Sequence, residues 1–335
     1  MLYLDAESAF DNVVRQLLVR KLFLTGTTDQ SLLFINQRLE NRNTYLDWDK
    51  KIMGPIYDEK GVEQGGVNSD HYYKIFGKEQ LSLSQDSNLG VSLHGITISA
   101  IGQADDTVLV SNSLQSIQNL LDLSLDFCRR NHVSLCIEKT KLQGMGPQSM
   151  AESMRYMKMT SHVNIKGTKL DFADEVEHVG IIRSVHGNNA NLLNRISSHK
   201  KAIGAVLHNG MARNHRGNPA ASVSAEKLFG ASVLFSGLGS LVLKNDEIDL
   251  LDQYYSRTLQ NLMRLRPNTP RCVTLFLASS LPGRALLHLR QFSLFSMLIQ
   301  LDGKSLKQLV IHILTFSKPN SNSWFHQLRK WLLTD

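Results

Sequence analysis

Two adjacent carboxylates in the stretch Ile101–Val110, IGQADDTVLV, constrain the chain more than any other feature, because apolar and β-branched runs flank them on both sides. The preceding ITISAIG and the following TVLVSN both favour strand, so the pattern predicts a hairpin with Asp105 and Asp106 at its bend. A charged bend leaves the flanking apolar positions free to pack on a core. Asp is also a common turn residue, and taken alone the pair is better explained as a solvated turn.

The start of the chain shifts that balance. MLYLDAESAFD is a short apolar strand that ends in Asp5 and then passes into a helix. If this strand lies beside the hairpin, Asp5 and Asp105 face each other across one sheet edge and could hold two hard divalent cations through oxygen. Mg²⁺ suits such a site because it binds few protein carboxylates, keeps waters and takes its remaining ligands from substrate phosphates. Two such ions, roughly 3.5–4 Å apart, can stabilise both the attacking and the leaving oxygen of an in-line phosphoryl displacement.

Composition narrows the partners. A formal net charge of +7 on 335 residues fits a polyanion, although a generally basic surface would produce the same number. With 42% hydrophobic residues the chain can build a core and has room for two domains or one elaborated one. Cys128, Cys136 and Cys272 lack zinc-ligand spacing and form an odd set for a disulfide framework, so an intracellular, reduced setting is expected, nuclear or cytoplasmic. No secretory signal is expected at Met1. The run Leu228–Leu243 is shorter than the roughly 20 residues that a bilayer requires and is broken by Ser and Gly, so a buried helix or strand pair is expected there and no membrane span.

Along the chain, Val13, Val14, Leu17, Leu18 and Leu22 recur at helical spacing up to Thr25-Gly26. A second helix is predicted over Asp29–Arg42, its stripe made by Leu32, Leu33, Ile35, Asn36 and Leu39, and TYLDWDKKIMGPIYDEKGV after it alternates like a hairpin with a proline at its edge. Gln64, Gly65 and Gly66 form a loop opening a helix around Ser69–Phe76. Glycine lets backbone approach a ligand closely and helix-start N–H groups favour phosphate, yet an isolated Gln-Gly-Gly is more often a plain turn. Ile117, Leu120, Leu121, Leu125 and Cys128 mark an amphipathic helix, and a short strand near Leu135–Ile137 delivers Glu138, Lys139, Thr140 and Lys141. A lysine at that exit could reach a phosphate, although most exposed lysines are only solvated surface.

The Gly, Pro, Ser and Met content of Gly144–Met159 marks the expected boundary. Beyond it a hairpin around Val163–Ile182 leads into a helix over Asn191–His208, with Leu192, Leu193, Ile196, Ile203, Val206 and Leu207 packing. Arg195, His199, Lys200 and Lys201 cluster on another face, and with Arg213, His215 and Arg216 after them they could contact a nucleic-acid backbone or form a solvated surface. From Ser224 on the pattern is helical, with one stripe of Leu250, Leu251, Tyr254, Tyr255, Leu259 and Leu262 and another over Leu286–Leu301. The twelve histidines never pair with cysteines at metal-ligand spacing, and no internal repeat or low-complexity segment is seen.

The acidic strand, the Gln-Gly-Gly loop, the Asp-Asp hairpin and the exit lysine, in this order, resemble a reverse transcriptase of the non-LTR retrotransposon (LINE-like) type, most strongly over Leu2 to Leu142. LDAESAFDNV is similar to the family's first palm motif, which implies that Asp5 is a metal ligand and that Phe10 is the aromatic gate against a ribose 2′-hydroxyl. GVEQGG resembles the second motif and implies that Gln64, Gly65 and Gly66 face template and incoming nucleotide. QADD resembles the third, with Asp105 as the second metal ligand and Asp106 beside it. Lys139 in EKTK matches the fourth, and VEHVGI around His178–Gly180 is faintly similar to the primer-grip turn.

The resemblance implies an α+β fold: a palm in which a small antiparallel sheet is backed by two helices, then a mostly helical thumb and tail, with the fingers largely missing. It implies a palm over residues 1–145, a linker over 146–160, a primer-grip-like hairpin and thumb helix over 161–222 and a helical region over 223–335. It also implies two Mg²⁺ ions, or Mn²⁺ in their place, an RNA template, a DNA primer and deoxynucleoside triphosphates, and no membrane. Two departures stand out. Gln103 occupies the place of the aromatic residue that usually begins the third motif, and the fingers segment and an endonuclease domain are expected to be absent. A rival expectation follows: a truncated palm-and-thumb fragment that binds nucleic acid or protein without catalysis, or a decayed product that barely folds.

Overall fold

The structure, a computed structural model, describes residues 1–40, 42–57, 60–93, 95–145, 157–159, 162–184, 188–206, 218–300, 310–311 and 324. The chain is α+β and forms two compact units, Met1–Val179 and Gly180–Asp335. The division falls at the turn of Val179 and Gly180, both of which have positive φ. Most of the expected linker, residues 146–156 and 160, lies outside the described residues.

In the first unit, β1 (Leu2–Leu4), β6 (Ala100–Gln103), β7 (Asp106–Leu109) and β8 (Lys141–Leu142) make one antiparallel sheet in the order β6-β7-β1-β8. The register sets Leu2 opposite both Leu109 and Leu142, so these three leucines share a face. That face is covered by α4 (Leu114–Asn131), through Ile117, Leu120 and Leu121, and by Val163, Ile165 and Leu170. The last three flank or belong to the small hairpin β9 (Asn164–Ile165) and β10 (Thr168–Lys169) and complete this unit's core. The opposite face carries Tyr3 and Val108, which pack with Val176 of β11 (Glu175–His178).

The helix α4 owes its sharp ends to two residues. Ser113 accepts a hydrogen bond from the Ser116 N–H at 3.1 Å, and His132 closes the other end in the left-handed conformation. A second core joins α4 to α1 (Arg15–Leu24), α2 (Asp29–Glu40) and α3 (Ser69–Asp86) through Leu18, Leu39, Tyr73, Phe76 and Phe127.

Three expectations are corrected in this unit. Asp5 does not pass directly into a helix: turns fill the gap and α1 begins only at Arg15, so Val13 is a core residue ahead of the helix. The strand expected near Leu135–Ile137 is a single bridge, Ala6 to Leu135, and the extended pairing comes later, at β8. In α2, Leu39 is buried and Leu32 and Ile35 pack partly buried against the same core, while Leu33 lies off that face and is exposed. The hairpin β2 (Asn43–Trp48) and β3 (Lys51–Tyr57) forms as expected, but every one of its residues is exposed. A further short hairpin, β4 (Val91–Leu93) with β5 (Ile96–Ile98), precedes β6.

The second unit begins with β12 (Ile181–Ser184) and α5 (Asn189–Val206). Then come α6 (Pro219–Ala225), one wide π-type turn over Glu226–Gly230 and α7 (Ala231–Phe235). The last described helices are α8 (Asn245–Leu262), α9 (Arg271–Leu277) and α10 (Gly283–Gln300). Leu192, Leu234, Phe235, Leu251, Tyr255, Leu259 and Leu287 form its core. Among the described residues no helix is long and apolar enough to cross a membrane.

Candidate active site

At the tip of the β6–β7 hairpin, Gln103 pairs with Asp106 across a two-residue turn, Ala104-Asp105. Ala104 takes a φ of 53°, a conformation that an alanine adopts only at a cost, and this local strain sits directly beside the carboxylates. On the adjacent strand the register runs Leu2–Leu109, Tyr3–Val108, Leu4–Thr107. Its continuation brings Asp5 level with Asp106 as the chain leaves the sheet. Three carboxylates thus gather at one end of the β1–β7 pair.

Electrostatics record that gathering. The Asp105 carboxyl is pushed above the ordinary aspartate range, first by burial and then by the negative charges of Asp106 and Asp5. Its own backbone N–H offsets part of this. The Lys139 ammonium stands 3.7 Å from an Asp5 carboxylate oxygen and is itself largely exposed. The chain path explains that placement. The Cys136 N–H donates to the Asp5 carbonyl at 2.8 Å and the Glu7 N–H to the Ser134 carbonyl at 2.9 Å, so the segment holding Lys139 is laced to the one holding Asp5.

The donor set is oxygen only and fits a hard divalent cation that takes its other ligands from water and phosphate. Among the described residues no group of three or more His, Cys, Asp or Glu is arranged to hold a metal ion.

Phe10 lies beyond Asp5, half-buried, with its ring tilted on Tyr73 of α3 at a centroid distance of 5.0 Å. Its carbonyl accepts the Val62 N–H at 2.9 Å, which ties the segment after Asp5 to the one entering the Gln-Gly-Gly loop. That tie is reinforced by two groups the sequence reading passed over. The buried Arg15 donates to the carbonyls of Gly61 at 2.8 Å and Lys60 at 2.9 Å. Gly61, with φ 90°, leaves no room for a side chain, since a Cβ would lie 2.7 Å from the Asp11 carbonyl oxygen. A lone arginine opening an apolar helix and a glycine before an apolar residue were the only signals in the sequence.

Gln64 and Gly65 are exposed, and Gly65 has a φ of 79° with open space around it. Gly66 packs close to Ser69 at the start of α3, where Asn68 provides no side-chain cap. The Ser69 N–H donates to the Gly66 carbonyl at 3.1 Å, and no Asn68 side-chain bond caps that first turn. A cavity of about 120 Å³ lies between α3 and the sheet and is lined in part by Tyr73, Ala104, Asp105 and Thr107.

The basic cluster expected on α5 loses its histidine to the core. His199 is fully buried: its Nε2 lies 3.0 Å from the Glu226 carboxylate and its Nδ1 2.7 Å from the Tyr254 hydroxyl. A ring of its size at that helical position meets the π-type turn, so it is a core residue of the second unit. Arg195 donates to the Gly180 carbonyl, while Lys200 and Lys201 remain exposed, with the Lys200 ammonium 5.8 Å from the centre of the Tyr254 ring. Arg213, His215 and Arg216 lie outside the described residues.

A search of curated proteins finds no match. The model of the family described as reverse transcriptase (RNA-dependent DNA polymerase) matches residues 1–169, which include the sheet, the carboxylates, the Gln-Gly-Gly loop and Lys139. A family that copies RNA into DNA acts on a nucleic-acid template and primer and on nucleotides, and generally uses divalent metal ions. With half of its length matched, and with the acidic edge of its antiparallel sheet inside the matched part, the chain belongs to the reverse transcriptase family.

Proposed function

We propose that the first unit is the palm of a non-LTR (LINE-like) reverse transcriptase, which extends a DNA primer on an RNA template by nucleotidyl transfer from deoxynucleoside triphosphates. The observation that carries this reading is the meeting of Asp5, Asp105 and Asp106 at one sheet edge, with the Asp105 carboxyl raised by burial and then by its neighbours' charge. Asp5 and Asp105 would hold Mg²⁺, with Asp106 beside them. When bound, two such ions supply charge stabilisation to both the attacking 3′-oxygen and the departing pyrophosphate of an in-line displacement.

The remaining residues bind and orient. Phe10 presents its free edge to the sugar and excludes a ribose 2′-hydroxyl by bulk. Gln64, Gly65 and Gly66 let the backbone at the start of α3 come close to template and nucleotide, and the uncapped first turn favours phosphate. Lys139 neutralises Asp5 through a long, exposed ion pair of small net worth, so its ammonium is readily exchanged onto an incoming phosphate. Lys200 and Lys201, exposed on α5, are the cations of the second unit best suited to a nucleic-acid backbone, with Arg195 partly committed to Gly180.

Primer extension on an RNA template tests the reading. Metal-dependent incorporation should occur with the intact chain and be abolished in Asp105→Ala; an Asp105→Ala protein as active as the parent would refute the metal assignment. Salt-sensitive binding of primer–template without any incorporation would replace the enzyme with a nucleic-acid binding module.

A further inference from the structure

Phe10 is not held by its own element. It sits in a stretch of turns between β1 and α1, and a ring on such a stretch has no helix or strand to fix its χ angles. Tyr73 lies against it on the 18-residue helix α3 and is itself buried. Behind Tyr73 the rings continue, Phe76 at 6.1 Å and then Phe127 of α4 edge-on at 6.3 Å, with the Lys21 ammonium 4.8 Å from both of the last two. The row runs from the carboxylate edge into the helical core. Tyr73 also borders the cavity under Asp105 and feels that carboxylate's charge. Tyr73 is therefore in contact with the Phe10 ring and close to the acidic edge at once.

We infer that Tyr73 is a positioning residue for nucleotide selection: its ring backs Phe10 and fixes the distance between that ring and the sugar carbon at which deoxy- and ribonucleotides differ. This rests on the reading of Phe10 as the gate. Tyr73 need not touch the nucleotide. It acts by denying Phe10 the retreat that would admit a 2′-hydroxyl, and the ring, not the hydroxyl, carries that role.

The test is single-nucleotide primer extension by the full chain, comparing kcat/KM for a deoxynucleotide and its ribonucleotide in Tyr73→Leu, Tyr73→Phe, Phe10→Leu and the double variant Phe10→Leu/Tyr73→Leu. Tyr73→Phe should keep the parental ratio. Tyr73→Leu should lower it about two- to tenfold, the range an aromatic ring contact commands, mainly through a lower ribonucleotide KM with the deoxynucleotide kcat retained. The double variant should be no less selective than Phe10→Leu alone, because Tyr73 works through Phe10.

If Tyr73→Leu does not melt cooperatively, Tyr73→Met provides the same ring removal at closer volume. A folded ring-less variant with parental selectivity, or multiplicative losses in the double variant, overturns the inference while leaving Phe10 as the gate. Parental selectivity in Phe10→Leu, or no incorporation by the parent, removes the gate reading and this inference together.

Discussion

The β1–β7 pair and the β2–β3 hairpin are both antiparallel and both rich in apolar side chains, yet they end in opposite surroundings. In the first, Leu2, Leu4, Val108 and Leu109 are buried. In the second, Tyr45, Trp48, Ile52 and Tyr57 are all exposed, Ile52 at 75%. The difference is not propensity, since both are built from apolar, β-branched and aromatic residues that favour strand. It is coverage: β1 and β7 each have strands on both sides and α4 against one face, whereas β2 and β3 pair only with each other among the described residues. A two-stranded ribbon has no second layer of its own, so apolar residues on it create surface, not core.

The largest expected effect sharpens that contrast. Leu109→Ala removes a fully buried side chain from the α4-covered face and should cost about 2–5 kcal/mol in chemical denaturation. A loss below that range would mean the face is loosely packed and the two regions are alike. Next, Ser113→Ala removes the cap of the covering helix and should cost about 0.5–2 kcal/mol in the same assay.

Asp105→Asn tests the polar end of the buried pair. Burial and the charges of Asp106 and Asp5 raise the folded-state pKa of Asp105 above its unfolded value, so ionisation weakens the fold as pH rises through that range. In chelator-treated protein the variant should melt above the parent at neutral pH, and the gap should close as pH falls below the ordinary aspartate range. Equal melting at neutral pH would show that neither burial nor the neighbouring charges penalise the ionised Asp105. The smallest effect is Ile52→Ala on the exposed hairpin, within about 0.5 kcal/mol of the parent. A larger loss there would show that something covers the ribbon, and the contrast with β1–β7 would break.

How much was legible follows the range of each interaction. The α4 stripe, the hairpin that carries the two aspartates, whose bend falls one residue earlier than expected, at Ala104-Asp105, and the Gln-Gly-Gly loop before α3 are local patterns, readable because backbone period and turn chemistry act within a few residues. His199 illustrates the limit. A His-Lys-Lys run looks like one basic face, but only the arrival of Glu226 and Tyr254, 27 and 55 residues away, decides that the imidazole is inside. The same holds for Phe10, whose neighbour Tyr73 comes from another helix, and for the lysine beside Asp5.

The amino-acid sequence by itself determined the strand before Asp5, the hairpin that carries Asp105 and Asp106, the helix after it, and the order of the four motifs, but not the turns that follow Asp5 or the single bridge at Leu135. Only the tertiary structure decided that β1 enters the sheet between β7 and β8, which brings Asp5 to Asp105, and that one apolar hairpin is covered while another is left in solvent. The physical reason is separation along the chain. Pairing residues about a hundred positions apart depends on which surfaces can bury each other, and that is a property of the assembled layers and not of any window of sequence.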